Sequence, residues 1–178
     1  MKTFLINICV FFLMTPFCLA QHIDFSVISC LNNTNACSNS YAVVVGLSDY
    51  RYVDVPEELA FAVDSAIMFS NEIKRLFNIR QENIFLFLND KATAQNINQS
   101  LIDVISKSKP NDKIFVYFAA KIEQDWVTNS DYLLFYDIAP NSELFSNDAI
   151  SLVDLNFLEK KAEEKNVELI INMTNCNR

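Results

Sequence analysis

The chain has 178 residues, 51% of them hydrophobic, enough for one domain with a sizeable core and too apolar for a disordered segment. Its formal net charge of −8 leaves too few cations to neutralise phosphates, which disfavours nucleic-acid and anionic-membrane partners. Gly46 is the only glycine, where an average use of about 7% gives roughly a dozen, so any mechanism needing a glycine-rich phosphate loop is excluded.

The first segment reads as a secretory signal peptide. Lys2 precedes an apolar run from Phe4 to Leu13, Pro16 breaks the helix, and Cys18-Leu19-Ala20 offers small residues for cleavage near Ala20. The run is short for a membrane anchor and contains Asn7. Residues 1–20 are therefore expected to leave. The mature chain would be secreted or otherwise extracytoplasmic, with no membrane contact, and losing Lys2 makes it one charge more negative. Residues 21–40 are polar and rich in Asn and Ser, and read as an N-terminal arm. Export permits disulfides. Cys30 and Cys37 flank an Asn-rich loop and could pair across it, which leaves Cys176 either free or pairing between chains. Glycosylation sequons stand at Asn32, Asn98 and Asn172 and matter only in a host that glycosylates exported proteins.

From residue 41 the pattern becomes regular, so residues 41–178 are read as the domain. Tyr41–Gly46 is a short β-branched run, the signature of a buried strand. Asp54 and Pro56 are placed to open a helix at the cap and first turn. Its apolar face carries Leu59, Ala62, Val63, Ala66, Ile67, Ile73, Leu76 and Phe77. Glu57 and Glu58 at its start and Lys74 and Arg75 at its end suit the macrodipole. Asn83–Leu88 is a second strand. Thr93 can cap a helix whose apolar face carries Ile97, Leu101, Val104 and Ile105. Pro110-Asn111-Asp112 is a turn, and Lys113–Phe118 a third strand. Tyr132–Tyr136 and Ala149–Leu152 read as two short strands of a side hairpin. Ser151 and Asp154 make a capping box for a helix through Lys165, and Val167–Ile171 is the last strand. This alternation predicts an α/β fold: a mostly parallel sheet of about four core strands, helices on both faces, and a small side hairpin.

Several of these pieces, in this order, resemble the large-subunit portion of caspase-like cysteine peptidases, especially the metacaspase-like branch. They are Tyr-Ala-Val-Val-Val-Gly-Leu-Ser-Asp-Tyr (41–50), Ala62-Val-Asp64-Ser-Ala66 and Asn83-Ile-Phe-Leu-Phe-Leu-Asn-Asp-Lys-Ala-Thr93. Lys109-Pro-Asn-Asp-Lys-Ile-Phe-Val-Tyr-Phe118, Asp131-Tyr-Leu-Leu-Phe-Tyr-Asp137 and Ala149-Ile-Ser-Leu-Val-Asp-Leu155 follow. The resemblance implies a caspase-like three-layer sandwich. It also implies a catalytic His after the third strand and a nucleophilic Cys after the fourth, brought together because loops at the carboxyl ends of parallel strands converge.

The sequence departs at both places. Ala119-Ala120-Lys121-Ile122 puts Lys121 at the His position, and Asn172-Met173-Thr174-Asn175-Cys176 puts Thr174 at the Cys position. Their separation is close to the about 50 residues of the caspase pattern. Asn172 also replaces an acidic residue that metacaspase-like relatives use near the first specificity pocket. The only histidine is His22, in the arm, so the family's dyad cannot be built within this domain.

Each sharper reading has a plainer rival. Cys176 could be an atypical nucleophile two residues late, or simply a terminal thiol. Thr174 and Lys121 could form a hydroxyl–amine pair, or mark a decayed site. Glu123, Asp125, Asp131 and Asp137 could line a pocket for a basic side chain, with Asp125, Asp131 and Asn172 its nearest candidates, or form a solvated acidic face. No cofactor is required. Calcium enters only because some metacaspase-like relatives depend on it, and the acidic spacing fits no metal loop. Trp126, with Ile122 and Val127, could serve partner binding or pack over the sheet end.

Caspase-like domains continue for two further strands, whereas this chain ends soon after its fourth. The unpaired edge is expected to meet a partner chain or a second copy, or else to reflect a truncated gene. The leading expectation is a secreted, catalytically inactive caspase-like domain that binds a protein or peptide. The alternatives are an atypical cysteine endopeptidase using Cys176, and a structural doubly wound domain without peptidase relation.

Overall fold

The computed structural model describes residues 39–55, 57–125, 127–139 and 149–174. Seven strands and three α-helices follow in the order β1 (Ser40–Gly46), α1 (Ala62–Phe77), β2 (Ile84–Leu88), α2 (Ala94–Lys107), β3 (Lys113–Ala119), β4 (Ile122–Gln124), β5 (Asp131–Leu134), β6 (Ala149–Ser151), α3 (Leu152–Glu164) and β7 (Glu168–Thr174). β2, β1, β3 and β7 lie side by side, all parallel, while β4, β5 and β6 form a separate antiparallel sheet. The result is a three-layer α/β sandwich.

Right-handed crossovers assign the layers. The chain moves one way from β1 to β2 and the other way from β2 to β3 and from β3 to β7. α1 therefore covers one face of the sheet, and α2 and α3 cover the other. Side chains of β3 report both faces. Phe115 and Tyr117 meet Phe77 and Phe69 of α1, with ring centroids 4.4 and 4.5 Å apart, while Phe118 turns to Phe135 on the opposite side. Strand residues of alternate parity serve alternate layers, which is why β1 and β3 are nearly continuous apolar runs.

Gly46 is required by a close approach. A Cβ built there would stand 2.6 Å from Ala66 Cβ and 2.8 Å from Ala62 O, so α1 rests directly on the end of β1. The shortage of glycine elsewhere has a simple counterpart. All five residues with positive φ among the described residues are asparagines: Asn78, Asn89, Asn111, Asn129 and Asn166. Asparagine tolerates the left-handed region better than other side chains, and here it takes the helix-end and turn positions that glycine usually fills. Asn78 ends α1 in this way, and Asn166 stands two residues past α3.

Several expectations need correction. Asp54 does not cap α1. A 3-10 turn at Glu57–Leu59 intervenes, and the hydroxyl of Ser48, fifteen residues away, accepts the Val63 N–H at 3.1 Å. A cap supplied by the strand end cannot be read from a local window. Ile67 and Leu76 fall outside the buried face, which is formed by Ala62, Ala66, Ser70 and Ile73, because small residues let the helix sit close to the sheet. The side hairpin is a three-stranded sheet, since Ile122–Gln124 adds a strand where a loop was expected. β7 runs to Thr174, three residues further than its apolar run. Other expectations hold: Thr93 Oγ1 accepts from Asn96 N–H, and Ile97, Leu101, Val104 and Ile105 are buried. Ser151 does cap α3, but its Oγ accepts from Val153 N–H and not from the Asp154 of the expected box.

Candidate functional site

All four parallel strands end at the same edge of the sheet, and all three helices begin there. The pairing of Gly46 with Ala119, and of Ala119 with Thr174, puts the carboxyl ends of β1, β3 and β7 side by side. Lys121 follows the end of β3 by two residues, and Thr174 is the residue of β7 in register with Ala119.

What each group does there is specific. The Lys121 ammonium lies 2.9 Å from a Glu123 carboxylate oxygen, in a pair that is partly exposed on both sides. Its backbone N–H donates to the Tyr50 hydroxyl at 2.7 Å, and its carbonyl accepts from Leu134 N–H at 2.9 Å. Tyr50 is buried, and burial pushes its phenol well above the usual tyrosine range; the Lys121 N–H offsets only part of that push. Thr174 Oγ1 shares a hydrogen bond with Tyr117 Oη at 2.9 Å, and the Tyr117 ring is stacked on Phe69. The amine and the hydroxyl thus face different partners. An ion-paired ammonium is a poor base, and this hydroxyl is held by a phenol rather than by a proton acceptor that could activate it.

The acidic stretch is mostly occupied with structure. Asp125 is only 2% exposed, and one carboxylate oxygen accepts the N–H groups of Val127 and Thr128 at 2.8 and 2.9 Å. This is an Asx-type turn that closes the β4–β5 loop. Asp137 accepts the Ala94 N–H at 3.3 Å, at the start of α2. Glu123 holds Lys121. Asp131 is exposed and pairs with Gln124 across the small sheet, and Asn172 sits half-buried beside Tyr117 in the β3–β7 register. Asp125 thus serves its own turn, while Asp131 opens β5 and Asn172 stands on β7. Among the described residues, no group of three or more His, Cys, Asp or Glu side chains stands close enough to hold a metal ion. Ile122 is buried in β4 and Val127 is exposed on the turn. Cys30, Cys37, Cys176, His22 and Trp126 lie outside the described residues.

A cavity of about 240 Å³ lies at the opposite, amino-terminal end of the strands, bordered by Phe77, Ile79, Arg80 and Asn83. It is far along the sheet from Lys121 and Thr174. Tyr50 and Tyr117 were not singled out from the sequence. Their signal was weak but present: each is a tyrosine within or just beyond an apolar strand run, where a phenol needs a partner once buried.

The outer edge of β7 is the remaining feature of this region. Glu168 N–H donates to Asp112 O, one residue before β3, so in the β3–β7 register the backbone groups of Glu168, Ile170, Asn172 and Thr174 face β3. Those of Leu169, Ile171 and Met173 face outward. Among the described residues no strand pairs with that side.

No family model matches the chain, and no curated protein matches it. Solved structures do. The crystal structure of protein GSU0716 from Geobacter sulfurreducens is similar, with a TM-score of 0.60 at 11% identity, over 78% of this chain and 51% of that one. The chain thus spans about half the length of that structure. At this identity the likeness concerns the fold.

Proposed function

We propose that this chain is a caspase-like domain that has lost the family's catalytic dyad and works by binding a protein partner after export. The observation that carries the reading is the pair of replaced positions. Lys121 and Thr174 occupy the strand ends where the resemblance calls for His and Cys, and each is tied to a different neighbour, Glu123 and Tyr117. The one histidine of the chain, His22, precedes the domain. The outer edge of β7, which no strand among the described residues pairs with, supports the binding role, because unpaired N–H and C=O groups are a template for another strand.

Hydrolysis of a mixed peptide library tests the reading, using the purified chain with and without calcium, beside Cys176→Ala and Lys121→Ala. The expected result is no cleavage above buffer for any of the three, with circular dichroism showing each folded. Cleavage that disappears in Cys176→Ala would replace the binding reading with a cysteine peptidase built on the terminal thiol.

A further inference from the structure

We infer that Asn129 is a site of spontaneous deamidation, singled out by the fold from the asparagines that hold the turns of this chain. The inference is independent of the binding role proposed above.

The chemistry needs no enzyme. The backbone nitrogen of Ser130 gives its proton to solvent base and attacks Asn129 Cγ. A C–N bond forms, the Cγ–Nδ2 bond breaks, and the side-chain nitrogen takes a proton from water and leaves as ammonia. Water then opens the five-membered imide at either carbonyl. One opening leaves aspartate in the normal main chain. The other leaves isoaspartate, with the main chain routed through Cβ. No oxidant or reductant enters.

This reaction wants an exposed carboxamide, a small successor residue and reacting atoms that the fold leaves alone. Five asparagines have positive φ, and four of them miss these conditions. Asn78 precedes Ile79, which is buried and β-branched and donates its N–H to Lys74 O at 3.1 Å. Asn111 precedes the buried Asp112, whose N–H donates to Lys109 O at 3.0 Å. Asn166 precedes Val167, which is also buried and β-branched, with its N–H on Ala162 O at 2.9 Å. Asn89 has its carboxamide oxygen on the Ser48 N–H at 3.0 Å. Asn129 is exposed, and the residue after it is Ser130, small and unbranched.

The bonds that close the Asn129 turn belong to other atoms. One Asp125 carboxylate oxygen accepts the N–H groups of Val127 and Thr128. Asn129 N–H donates to Asp125 O at 2.8 Å, and Asp125 N–H donates to Ser130 O at 2.9 Å. None of these donors and acceptors takes part in the attack. The Asn129 carboxamide and the Ser130 N–H make no hydrogen bond among the described residues.

The chain carries its own control. Asn39-Ser40 is the other Asn-Ser step among the described residues. There Asn39 Oδ1 accepts from Arg80 Nη2 at 3.1 Å, and Ser40 opens β1 in register with Lys113 of β3. The same dipeptide is thus held at one place and presented to solvent at the other. Isoaspartate at Asn129 would lengthen the main chain by one methylene in the turn between β4 and β5, and add a carboxylate between Asp125 and Asp131. That hairpin also carries Glu123, the partner of Lys121.

Ageing of the purified full chain at mildly alkaline pH, read by peptide mapping with mass spectrometry, tests the site. In the folded chain, aspartate and isoaspartate should accumulate at Asn129 at least several-fold faster than at Asn39. In the urea-unfolded chain the two Asn-Ser steps should convert at similar rates, because the dipeptide is then all that they have. Ser130→Val places a β-branched side chain beside the attacking nitrogen and should slow conversion at Asn129 roughly tenfold. Folded protein that converts Asn39 as fast as Asn129 overturns the inference, as does an Asn129 that stays intact or a folded Ser130→Val that converts at the wild-type rate. The folded-against-unfolded comparison uses the wild-type chain alone, so it decides the matter even where the variant does not fold.

Discussion

β1 and β7 have the same length and opposite fates. Both are seven-residue, largely apolar strands in one parallel sheet, yet β1 is buried from Ala42 to Gly46 while no residue of β7 is fully buried. The difference is one of position. β1 has a strand on each side and α1 pressed onto it at Gly46, whereas β7, among the described residues, has only β3 beside it and α1 seated over its neighbours. An apolar strand run therefore reports that burial is wanted, not where it is supplied.

The sharpest way to break the comparison is to remove apolar volume from each half. Phe118→Ala, in the fully enclosed part of β3, should cost ~3–5 kcal/mol in urea unfolding. Ile171→Ala on the edge should cost less than half as much, measured on dilute protein. An equal loss at the two positions would mean that β7 is as well covered in solution as the centre of the sheet.

Gly46→Ala probes the tight contact itself. The new methyl meets Ala66 Cβ and the Ala62 carbonyl well inside ordinary contact distance. Overpacking of this kind should cost ~1–3 kcal/mol and lower the unfolding midpoint. An unchanged midpoint would show that α1 can slide away from β1, and that the covered half is looser than its packing indicates.

Tyr50→Phe should have the smallest effect, ~1 kcal/mol at neutral pH, from losing the acceptor for the Lys121 N–H. Its pH dependence is more diagnostic. Burial raises the folded phenol above its ordinary value near 10, so the unfolded chain releases that proton first. The contribution of the neutral phenol is complete below that pH and falls as pH rises beyond it. Between pH 9 and 11 the wild type should lose stability more steeply than Tyr50→Phe. Parallel slopes would show that the phenol ionises freely in the folded protein.

Most of the architecture was legible because its causes are local. The β-branched run at Tyr41–Gly46, the Thr93 cap, the apolar periodicity of Ile97–Ile105 and the turn at Pro110–Asp112 each depend on a few neighbouring residues. The features that were not legible join distant ones. Ser48 caps α1 across fifteen residues, Asp125 folds its carboxylate back into its own turn, and Tyr117 reaches Thr174 across two strands. The third strand of the small sheet, Ile122–Gln124, is too short to carry a periodicity and exists because β5 is there to pair with it.

By itself the sequence determined the order of the main-sheet strands and the helices, and with it the α/β class, since periodicities of 2 and 3.6 are written in the order of side chains. It also determined which side chains stand at the two replaced positions, because residue identity needs no coordinates. Only the tertiary structure decided which partners Lys121 and Thr174 take, that Asp125 serves a turn, and that the backbone groups of Leu169, Ile171 and Met173 face outward. Those outcomes depend on which groups the sheet brings within hydrogen-bonding distance, and that distance is set by register and packing between elements far apart in the chain.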